Sequence, residues 1–537
     1  MQAIEQVYTP PTKGRSATLV VAASNASAKS IAAADYQCDG SDDQNIINTA
    51  LTAGAGGKVV LMDGTYNVTN PILPKSNTSI EILGKIVIAD ATTSLLTQNA
   101  STGQVNITVA DASNFFEGQW VIISDDNCPA QGGQTRKVGE CARIDSITDN
   151  TITLETNLAT YNYTTAANAF ISSYPSAVLI EEESNITLNG QGVGEIDGNR
   201  SGQSELEPIQ PGAVEEIRAG CAISNLGTSG TFNDSITIKG LNIHDAMLHN
   251  IGNRYTQNIR IYNNTIDSAH DKNILFFYGN NISIRDNIIS NAVFEDGIIL
   301  YDSVTNALTS GNILSNNKRA DIYFNTRAVN VTSVGDKVTD GATGKSGMFT
   351  LKGSNIDIIS PQVDGSTSTS GFYITGTNIR ILGGTVDMST TNTGPGIGVY
   401  LVSGATNIEA VGLSIINNKV GVKLNSGSDN CNFTRCVFSG NTSKINDASG
   451  GALKFNRCTG HVSERNGTAT VADDATYVDV THGLAITPTA GQISVTPTNN
   501  LGDASFYWIS NIGASTFRIN VDADPGAGTA TFVWQIN

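Results

Sequence analysis

Charged side chains gather in four short loops of the sequence, "MLHN", "HDKN", "VFED" and "KRAD", between residues 244 and 327. The loops contain acids, bases and cations: His249, His270, Asp271, Lys272, Glu295, Asp296, Lys318, Arg319 and Asp321. Hydrolysis of a glycosidic bond needs a proton donor and a second carboxylate, about 5 Å apart for retention or about 6.5–9.5 Å apart for inversion. We therefore predict Asp271, Glu295 and Asp296 as the acid and base, with Lys272 and His270 beside them to tune their pKa values.

The same residue types suit a second reaction. A lyase or C5-epimerase abstracts a proton beside a uronate carboxylate, with Lys, His or Tyr as base and a cation that neutralises the carboxylate. Lys272, His270 and Arg319 fit those roles. The third interpretation is that these are solvated turn charges that only keep the chain soluble. All three interpretations place the side chains on exposed turns.

Tyrosines recur in the same stretch every 23 residues, at Tyr255, Tyr278 and Tyr301. If they stack they form an aromatic row for sugar rings, although strands favour tyrosine for packing alone. Residues 244–327 hold seven Lys/Arg against eight Asp/Glu, so a nearly neutral patch in a chain of net charge -18 would admit an anionic glycan. The predicted substrate-binding residues are Tyr255, Tyr278, Tyr301, Arg254, Arg319, Asp321 and His249.

A repeated phrase explains how such loops are positioned. "NIRIYNNTI" at 258 recurs as "NISIRDNII" at 281 and in seven further variants from 235 to 430, each followed by a short apolar burst such as "DGIILYD". Period-two alternation with a repeat of this length predicts one coil of a parallel β-solenoid per phrase. Asn258 and Asn281 should then lie on neighbouring coils, and Asn264, Asn287 and Asn312 should form an amide ladder at the turns.

Bulk composition excludes several classes of protein. A chain with 31 basic and 49 acidic residues is a poor nucleic-acid binder, and no apolar run is long enough for membrane insertion. The first residues show no signal peptide, which favours a virion-assembled or other extracellular surface protein over a Sec-exported enzyme.

No zinc or phosphate motif is present, so we expect no cofactor, with Ca2+ as the one ion that scattered carboxylates allow. Seven cysteines imply no disulfide framework, and Cys436 and Cys458 are expected as stacked core residues rather than a bridge.

Sequence outside the repeat predicts two further parts. Ser41 and Gln44 have capping-box spacing, and Ile46, Ile47, Ala50 and Leu51 form the apolar face of a capping helix. After residue 464 the rhythm stops, and short alternating segments indicate a β-sandwich-like domain in which Trp508 and Trp534 are expected to be buried, with sugar binding as the alternative.

"ADYQCDGSDDQNIINTAL", "GGKVVLMDGTYNV" and "GEIDGN", followed by the coils, resemble the pectate-lyase-like right-handed parallel β-helix superfamily, particularly its phage tailspike-like members. The resemblance implies an all-β fold: a right-handed single-stranded parallel β-helix with an N-terminal capping helix, a small β insertion and a C-terminal β-sandwich-like domain. The expected divisions are an arm at 1–16, the cap and first coils at 17–101, the insertion at 102–172, the β-helix at 173–464 and the terminal domain at 465–537.

The resemblance also implies a function. A tailspike-like virion or surface protein would bind a polysaccharide or cell-surface glycan, cleave it as a glycoside hydrolase, and assemble as a homotrimer. A non-enzymatic adhesin or receptor-binding fibre is the first alternative. A secreted uronate lyase or C5-epimerase is the second.

Overall fold

The computed structural model describes residues 18–130, 137–209, 218–339, 347–365, 369–390, 392, 394–448, 453–461, 465–484, 487–526 and 528–536. The predicted arm at 1–16 lies outside them. The structure is nearly all β, with 5% helix, and contains a parallel β-solenoid of about 15 turns. It divides into two units, the first Met1–Leu275 with Gly279–Ser283 and the second Phe276–Tyr278 with Ile284–Asn537. None of the described helices is long and apolar enough to cross a membrane.

Unit 1 begins with the helical cap. Its helices are Ala28–Ala33 and Gln44–Ala53, and the second buries Ile47, Ala50 and Leu51 as predicted. The predicted capping box is wrong, because the N-cap of this helix is Asp43. The Asp43 carboxylate instead accepts the backbone N–H groups of Gly40 and Asn67, at 2.9 and 2.8 Å, and so ties the cap to the first turns.

The solenoid strands of unit 1 pair in parallel. They are Thr18–Ala22, Tyr36–Gln37, Lys58–Leu61, Thr65–Val68, Ser79–Ile82, Lys85–Ile88, Val178–Glu181, Ile186–Asp197, Ile223–Leu226, Asn233–Asp234, Ile236–His244, His249–Tyr262, Thr265–Asp267 and Lys272–Arg285, the last shared between the units.

The β insertion forms a separate mixed sheet with its own apolar core. Its strands are Thr93–Leu95, Asn106–Thr108, Trp120–Ser124, Lys137–Thr148, Thr151–Leu154, Phe170–Ser173 and Leu206–Ile209. Short 3-10 helices lie at Thr165–Ala167 and Arg200–Gly202.

Each turn of unit 2 has three strands, and each strand pairs in parallel with its counterpart in the next turn. The first strands are Thr305–Ser310, Val329–Val334, Ser354–Ile359, Thr377–Leu382, Thr406–Val411, Asp429–Thr434 and Leu453–Asn456. The second strands are Ile288–Ser290, Ile313–Ser315, Lys337–Thr339, Gln362–Asp364, Thr385–Asp387, Ser414–Ile416 and Val437–Ser439. The third strands are Ile298–Asp302, Ile322–Phe324, Phe349–Leu351, Ser370–Ile374, Ile397–Leu401, Val420–Leu424 and Ser443–Asp447.

Asparagine ladders hold the turns in register. Asn281 Nδ2 donates to Asn258 Oδ1 at 2.5 Å, which confirms that the two phrases lie on neighbouring turns. In unit 2, the first asparagines of the phrases at 330, 355, 378, 407 and 430 each donate to the asparagine one turn before, at 2.8–3.3 Å. All of them have positive φ, a conformation that asparagine tolerates better than most residues.

Asparagines at the second predicted set of ladder positions, Asn264, Asn287 and Asn312, are buried. Asn312 accepts from the Asn287 side chain at 3.0 Å and donates to Asp336 at 2.9 Å, while Asn264 donates to the backbone of the preceding turn at 3.1 Å. Apolar rows such as Phe349 on Phe372, with ring centroids 5.2 Å apart, fill the interior beside it. The ladder thus satisfies turn backbone groups inside a dry core.

The C-terminal domain packs two antiparallel three-stranded sheets face to face, as predicted. One sheet contains Arg465–Val471, Ile493–Pro497 and Ala530–Ile536, and the other contains Tyr477–Thr481, Tyr507–Ser510 and Thr516–Val521, with a 3-10 helix at Ala490–Gln492. All seven cysteines are buried, and Cys436 and Cys458 form no disulfide bridge with each other, as predicted.

Asn312→Ala should lower the free energy of unfolding by about 2 kcal/mol. The change removes two buried hydrogen bonds, the one that Asn312 accepts from the Asn287 side-chain amide and the one that it donates to the Ile284 carbonyl. Chemical denaturation monitored by circular dichroism measures the loss. The control is Asn355→Gly, an exposed ladder position where glycine adopts the left-handed backbone readily and the change should stay within about 0.5 kcal/mol. An equal loss of unfolding free energy in the two variants would show that burial does not make the Asn312 hydrogen bonds more stabilising than those of the exposed ladder.

Candidate functional site

In unit 1 the predicted residues come together, but inside the protein. Lys272 Nζ donates to Asp271 Oδ2, and His249 Nδ1 lies 3.7 Å from the same oxygen. Asp271 is 2% exposed, His249 0% and His270 9%, so the expectation that these side chains lie on exposed turns is wrong. Their catalytic and binding roles stay predictions.

Backbone stacking explains the burial. The N–H of His270 donates to Ala246 O at 3.0 Å, and the N–H of Asp271 donates to Leu248 O at 2.9 Å. The turn therefore lies directly on the preceding turn instead of looping out into solvent. A buried carboxylate needs a charged partner, because an unpaired charge in the interior costs several kcal/mol, and Lys272 supplies that partner.

Arg254 and Tyr255 pack against each other. The guanidinium carbon lies 5.2 Å from the ring centroid, and Phe232 contacts the same ring edge-to-face at 5.7 Å. Arg254 is 6% exposed. Tyr278 and Tyr301 belong to unit 2, where both contact the ring of Phe277, at 6.4 and 4.8 Å between centroids. Substrate binding by these three tyrosines stays a prediction.

Arg319 joins the remaining predicted residues in unit 2. Its Nη1 donates to Glu295 Oε1 at 2.8 Å, and its Nε donates to Asp296 Oδ1 at 3.0 Å while Nη2 binds the other oxygen of Asp296. Burial alone would lower the pKa of Arg319, but the carboxylates of Asp296 and Glu295 outweigh it and raise that pKa. Asp296 and Asp321 are 0% exposed, which again contradicts the expectation of exposed turns.

Glu295 differs from these two carboxylates. Its side chain keeps 22% exposure, whereas the Asp296 side chain keeps 0%. Asp321 Oδ1 accepts from Asn317 Nδ2 at 2.8 Å inside the turn. Of the three carboxylates predicted in this unit, Glu295 is therefore the one a ligand can touch.

Next to this cluster a row of aromatic and cationic side chains follows the third strands. It is buried at Tyr323 (7% exposed) and Thr350 (0%) and faces outward from Tyr373 onward. Tyr323, Thr350, Tyr373, Tyr400 and Lys423 are successive partners in register. Each of Tyr373, Tyr400 and Lys423 stands between two fully buried apolar residues, so its own side chain points out of the solenoid. We call Arg319, Tyr323, Lys352, Tyr373, Tyr400 and Lys423 the cationic–aromatic strip.

Cations stack on the rings of the strip. The Arg319 guanidinium carbon lies 5.1 Å and Lys352 Nζ 5.0 Å from the centroid of Tyr323. Lys423 Nζ lies 4.6 Å from the centroid of Tyr400, whose ring meets Tyr373 edge-to-face at 5.6 Å. Sequence reasoning missed five of these residues, although for Tyr373, Tyr400 and Lys423 the signal is their place at the centre of the triplets "FYI", "VYL" and "VKL".

A second charged network lies on the outward face of unit 1, and sequence reasoning missed it too. Glu195 and Asp197, from "GEIDGN", both contact Lys85 Nζ at 2.7 Å. His244 Nε2 lies 3.1 Å from Glu195 Oε1, and His244 Nδ1 lies 2.9 Å from Asp245 Oδ2. Glu195, Asp197 and His244 have donor atoms suited to a metal, but the Lys85 ammonium already contacts both carboxylates. Calcium binding stays a prediction.

The network shifts two pKa values in opposite directions. Burial alone would lower the pKa of His244, but Asp245, Asp197 and Glu195 raise it above its usual value. Burial would raise the pKa of Glu195, but Lys85 and His244 together lower it. The imidazolium and the carboxylate therefore stabilise each other most at mildly acidic to neutral pH.

The raised pKa of His244 predicts a pH-dependent stability. Its contribution is fully present below the unfolded pKa of about 6.5 and is lost as pH rises through the higher folded pKa. Between about pH 7 and about pH 9 the melting temperature should therefore fall less in His244→Gln than in the wild type. The control is His461→Gln, because burial and then Lys444 lower the pKa of His461 to about 4 and leave it neutral over that range. A wild-type pH slope retained in His244→Gln would contradict the assignment.

Comparisons with known proteins bear on the fold. No model of a known protein family matches the chain, and no curated protein sequence matches it. Tailspike gp49 of Pseudomonas phage LKA1 is similar in structure, with 15% identity, coverage of 91% of this chain and 92% of that chain, and a TM-score of 0.37. Tailspike gp54 of Acinetobacter baumannii bacteriophage AP22, solved with a capsular saccharide, gives 11% identity, coverage of 92% and 93%, and a TM-score of 0.31.

The A-module of the mannuronan C-5 epimerase AlgE6 from Azotobacter vinelandii superposes better, with a TM-score of 0.52 at 13% identity over 78% of this chain and 95% of that chain. At this identity the match concerns the fold alone. Together with the parallel pairing of successive turns, it shows that the fold is a parallel β-helix.

Proposed function

We propose that the chain binds an acidic polysaccharide along the cationic–aromatic strip and cleaves it. The observation that carries the proposal is the strip itself: Tyr373, Tyr400 and Lys423 are successive outward residues of the third strands of unit 2, and lysine ammonium groups lie over the rings of Tyr323 and Tyr400. A β-helix offers equivalent positions at the strand spacing of about 4.8 Å, so a linear polymer laid along it meets similar groups repeatedly.

Two physical effects favour this ligand: stacking on aromatic rings favours a glycan, and the local positive charge favours an acidic one. The C–H faces of sugar rings pack on exposed aromatic rings. The strip's hydroxyls are partly engaged already, since the Tyr400 hydroxyl accepts from Asn425 Nδ2 at 3.0 Å and the Tyr323 hydroxyl donates to Asn325 Oδ1 at 3.3 Å. The chain as a whole carries a net charge of -18, so its surface repels a polyanion at most places. Lys352 and Lys423, whose ammonium groups lie over tyrosine rings, make the strip the favourable exception.

Cleavage is assigned to Glu295. It is accessible, it lies 2.8 Å from Arg319, and Arg319 in turn stacks on Tyr323 at the start of the strip. In hydrolysis the Glu295 carboxylate would take a proton from the water that adds to C1, while a second, acidic group gives its proton to the glycosidic oxygen as the C1–O bond breaks.

Elimination is the second candidate reaction, and one observation favours it. Two cations flank the ring of Tyr323. Lys352 would neutralise a uronate carboxylate while the Tyr323 phenolate takes the proton from C5. The C4–O bond then breaks, a C4=C5 double bond forms, and the leaving oxygen takes up the proton that Tyr323 now carries. An adhesin that only holds the glycan would give neither new reducing ends nor new double bonds.

We further propose that the protein works as a homotrimer at a virion or cell surface, as the tailspike resemblance implies. Light scattering should then give three times the chain mass of 56.3 kDa. A monomer at micromolar concentration would contradict this assembly.

The strip predicts a binding defect. Tyr400→Ala combined with Lys423→Gln should weaken binding of alginate, polygalacturonate or acidic capsular polysaccharide by about tenfold or more, because it removes a stacking ring and a cation. Calorimetry at two salt concentrations measures the change, and the wild type should be the more salt-sensitive protein. The control is Arg380→Gln, an exposed cation paired with Asp357 on the first strands. Unchanged affinity in the double variant would remove the strip from the site.

The cleavage assignment predicts a loss of turnover. Glu295→Gln should lower turnover of a confirmed substrate by about 100-fold or more, with binding and melting temperature nearly unchanged. Reducing ends report hydrolysis, and ultraviolet absorbance of new double bonds reports elimination. The exposed carboxylate variant Glu409→Gln is the control. Full activity in Glu295→Gln, with loss in Asp271→Asn instead, would move the chemistry to unit 1.

A further inference from the structure

The C-terminal domain carries an aromatic face that the proposed glycan strip does not use. It lies on the outer side of the sheet formed by Tyr477–Thr481, Thr516–Val521 and Tyr507–Ser510. On the central strand Phe517, Ile519 and Val521 are at most 2% exposed and point into the sandwich. Alternation along a strand therefore directs Arg518 and Asn520 outward.

The strand register places one aromatic ring on each side of Asn520. Tyr477 pairs with Asn520 on one flank, and Trp508 pairs with Asn520 on the other. Tyr477 is 47% exposed and Trp508 45%, and Phe506 next to Trp508 is 60% exposed with its ring centroid 5.8 Å away. The expectation that Trp508 is buried is therefore wrong, while Trp534 at 5% exposure fits it.

Polar groups between the rings are held in fixed positions. Asn520 Nδ2 donates to Trp508 O at 3.2 Å and to Ser510 Oγ at 2.9 Å. Arg518 donates two hydrogen bonds to the Asp479 carboxylate, at 2.7 and 2.8 Å, and its guanidinium carbon lies 3.7 Å from the centroid of Tyr477. The Asn520 carbonyl oxygen and the outer edges of the Arg518–Asp479 pair present donors and acceptors beside the rings.

We propose that this face, formed by Tyr477, Phe506, Trp508, Asn520, Arg518 and Asp479, binds a neutral oligosaccharide. The Tyr477 and Trp508 strands are two strand spacings apart, about 9.6 Å, a span that a short oligosaccharide bridges. Sugar rings stack on the aromatic faces, and their hydroxyls exchange hydrogen bonds with the amide, guanidinium and carboxylate between them. The ligand is neutral because Asp479 already compensates Arg518.

A second copy of the chain fits this face less well. The three half-exposed rings offer roughly 300 Å2 of apolar surface, whereas a stable protein–protein interface buries about 800 Å2 on each partner. Charged groups are also depleted from the centre of such interfaces, and here an ion pair lies between the rings. The mixture of flat rings and rigid polar groups matches the amphipathic surface of a sugar.

The test uses the full chain and an array of neutral oligosaccharides of glucose, galactose, mannose and N-acetylglucosamine. The wild type should bind at least one of them and change its tryptophan emission, and Trp508→Ala with Tyr477→Ala should weaken that binding about tenfold or more. The control is Val533→Ala, an exposed residue on the other sheet, which should keep full affinity.

Either of two outcomes would overturn the proposal. One is that no neutral oligosaccharide on the array binds the wild type. The other is that the double variant keeps full affinity but loses self-association in light scattering, which would make the face a contact between copies. Binding at the strip is read separately, because it depends on salt and on Lys423, whereas binding at this face should survive both high salt and Lys423→Gln.

Discussion

The hydrogen bonds between one turn and the next are the interactions on which the rest of the structure depends. Backbone groups of each strand pair with the strand one turn away, and asparagine amides bond their counterparts at the phrase starts. These asparagines adopt left-handed backbone conformations, with φ near 55° at Asn378 and Asn407. A residue with a branched side chain would resist that conformation, and a glycine would lack the amide, so asparagine satisfies both requirements at once.

Register turns single residues into rows. Once Asn378 lies above Asn355, every later residue of the turn lies above its equivalent until a loop changes length. Inside, the rows are Ile, Val and Phe, as in the stacked rings of Phe349 and Phe372. Outside, the same geometry aligns Tyr373, Tyr400 and Lys423. Because the ladders keep the turns in register, one outward position recurs in every turn. The residues that occupy this position decide whether the row can bind a polymer.

Alternation and period were enough to predict the coil, the neighbouring asparagines and the positions of the ladders, because these depend on local backbone rules that each phrase repeats. The side of the chain on which a turn residue lies depends on the turn below it. Asp271 looked exposed because charged residues in short loops usually are, but its backbone bonds to Leu248 and its side chain enters the protein. The strip was overlooked for the opposite reason, since one tyrosine between two apolar residues looks like ordinary strand.

The contacts of each cation decide whether a ligand can use its charge. A cation paired with a carboxylate is neutralised, whereas a cation that lies over an aromatic ring keeps most of its positive potential. Arg380 and Arg518 each bind one carboxylate through two hydrogen bonds, which neutralises them at fixed geometry. The Lys423 ammonium lies over the ring of Tyr400, and a ring face returns only about 0.5–2 kcal/mol to a cation. Much of its positive potential therefore remains available to an anion. In a chain with 49 acidic and 31 basic residues, such a cation attracts a polyanion where paired arginines would not.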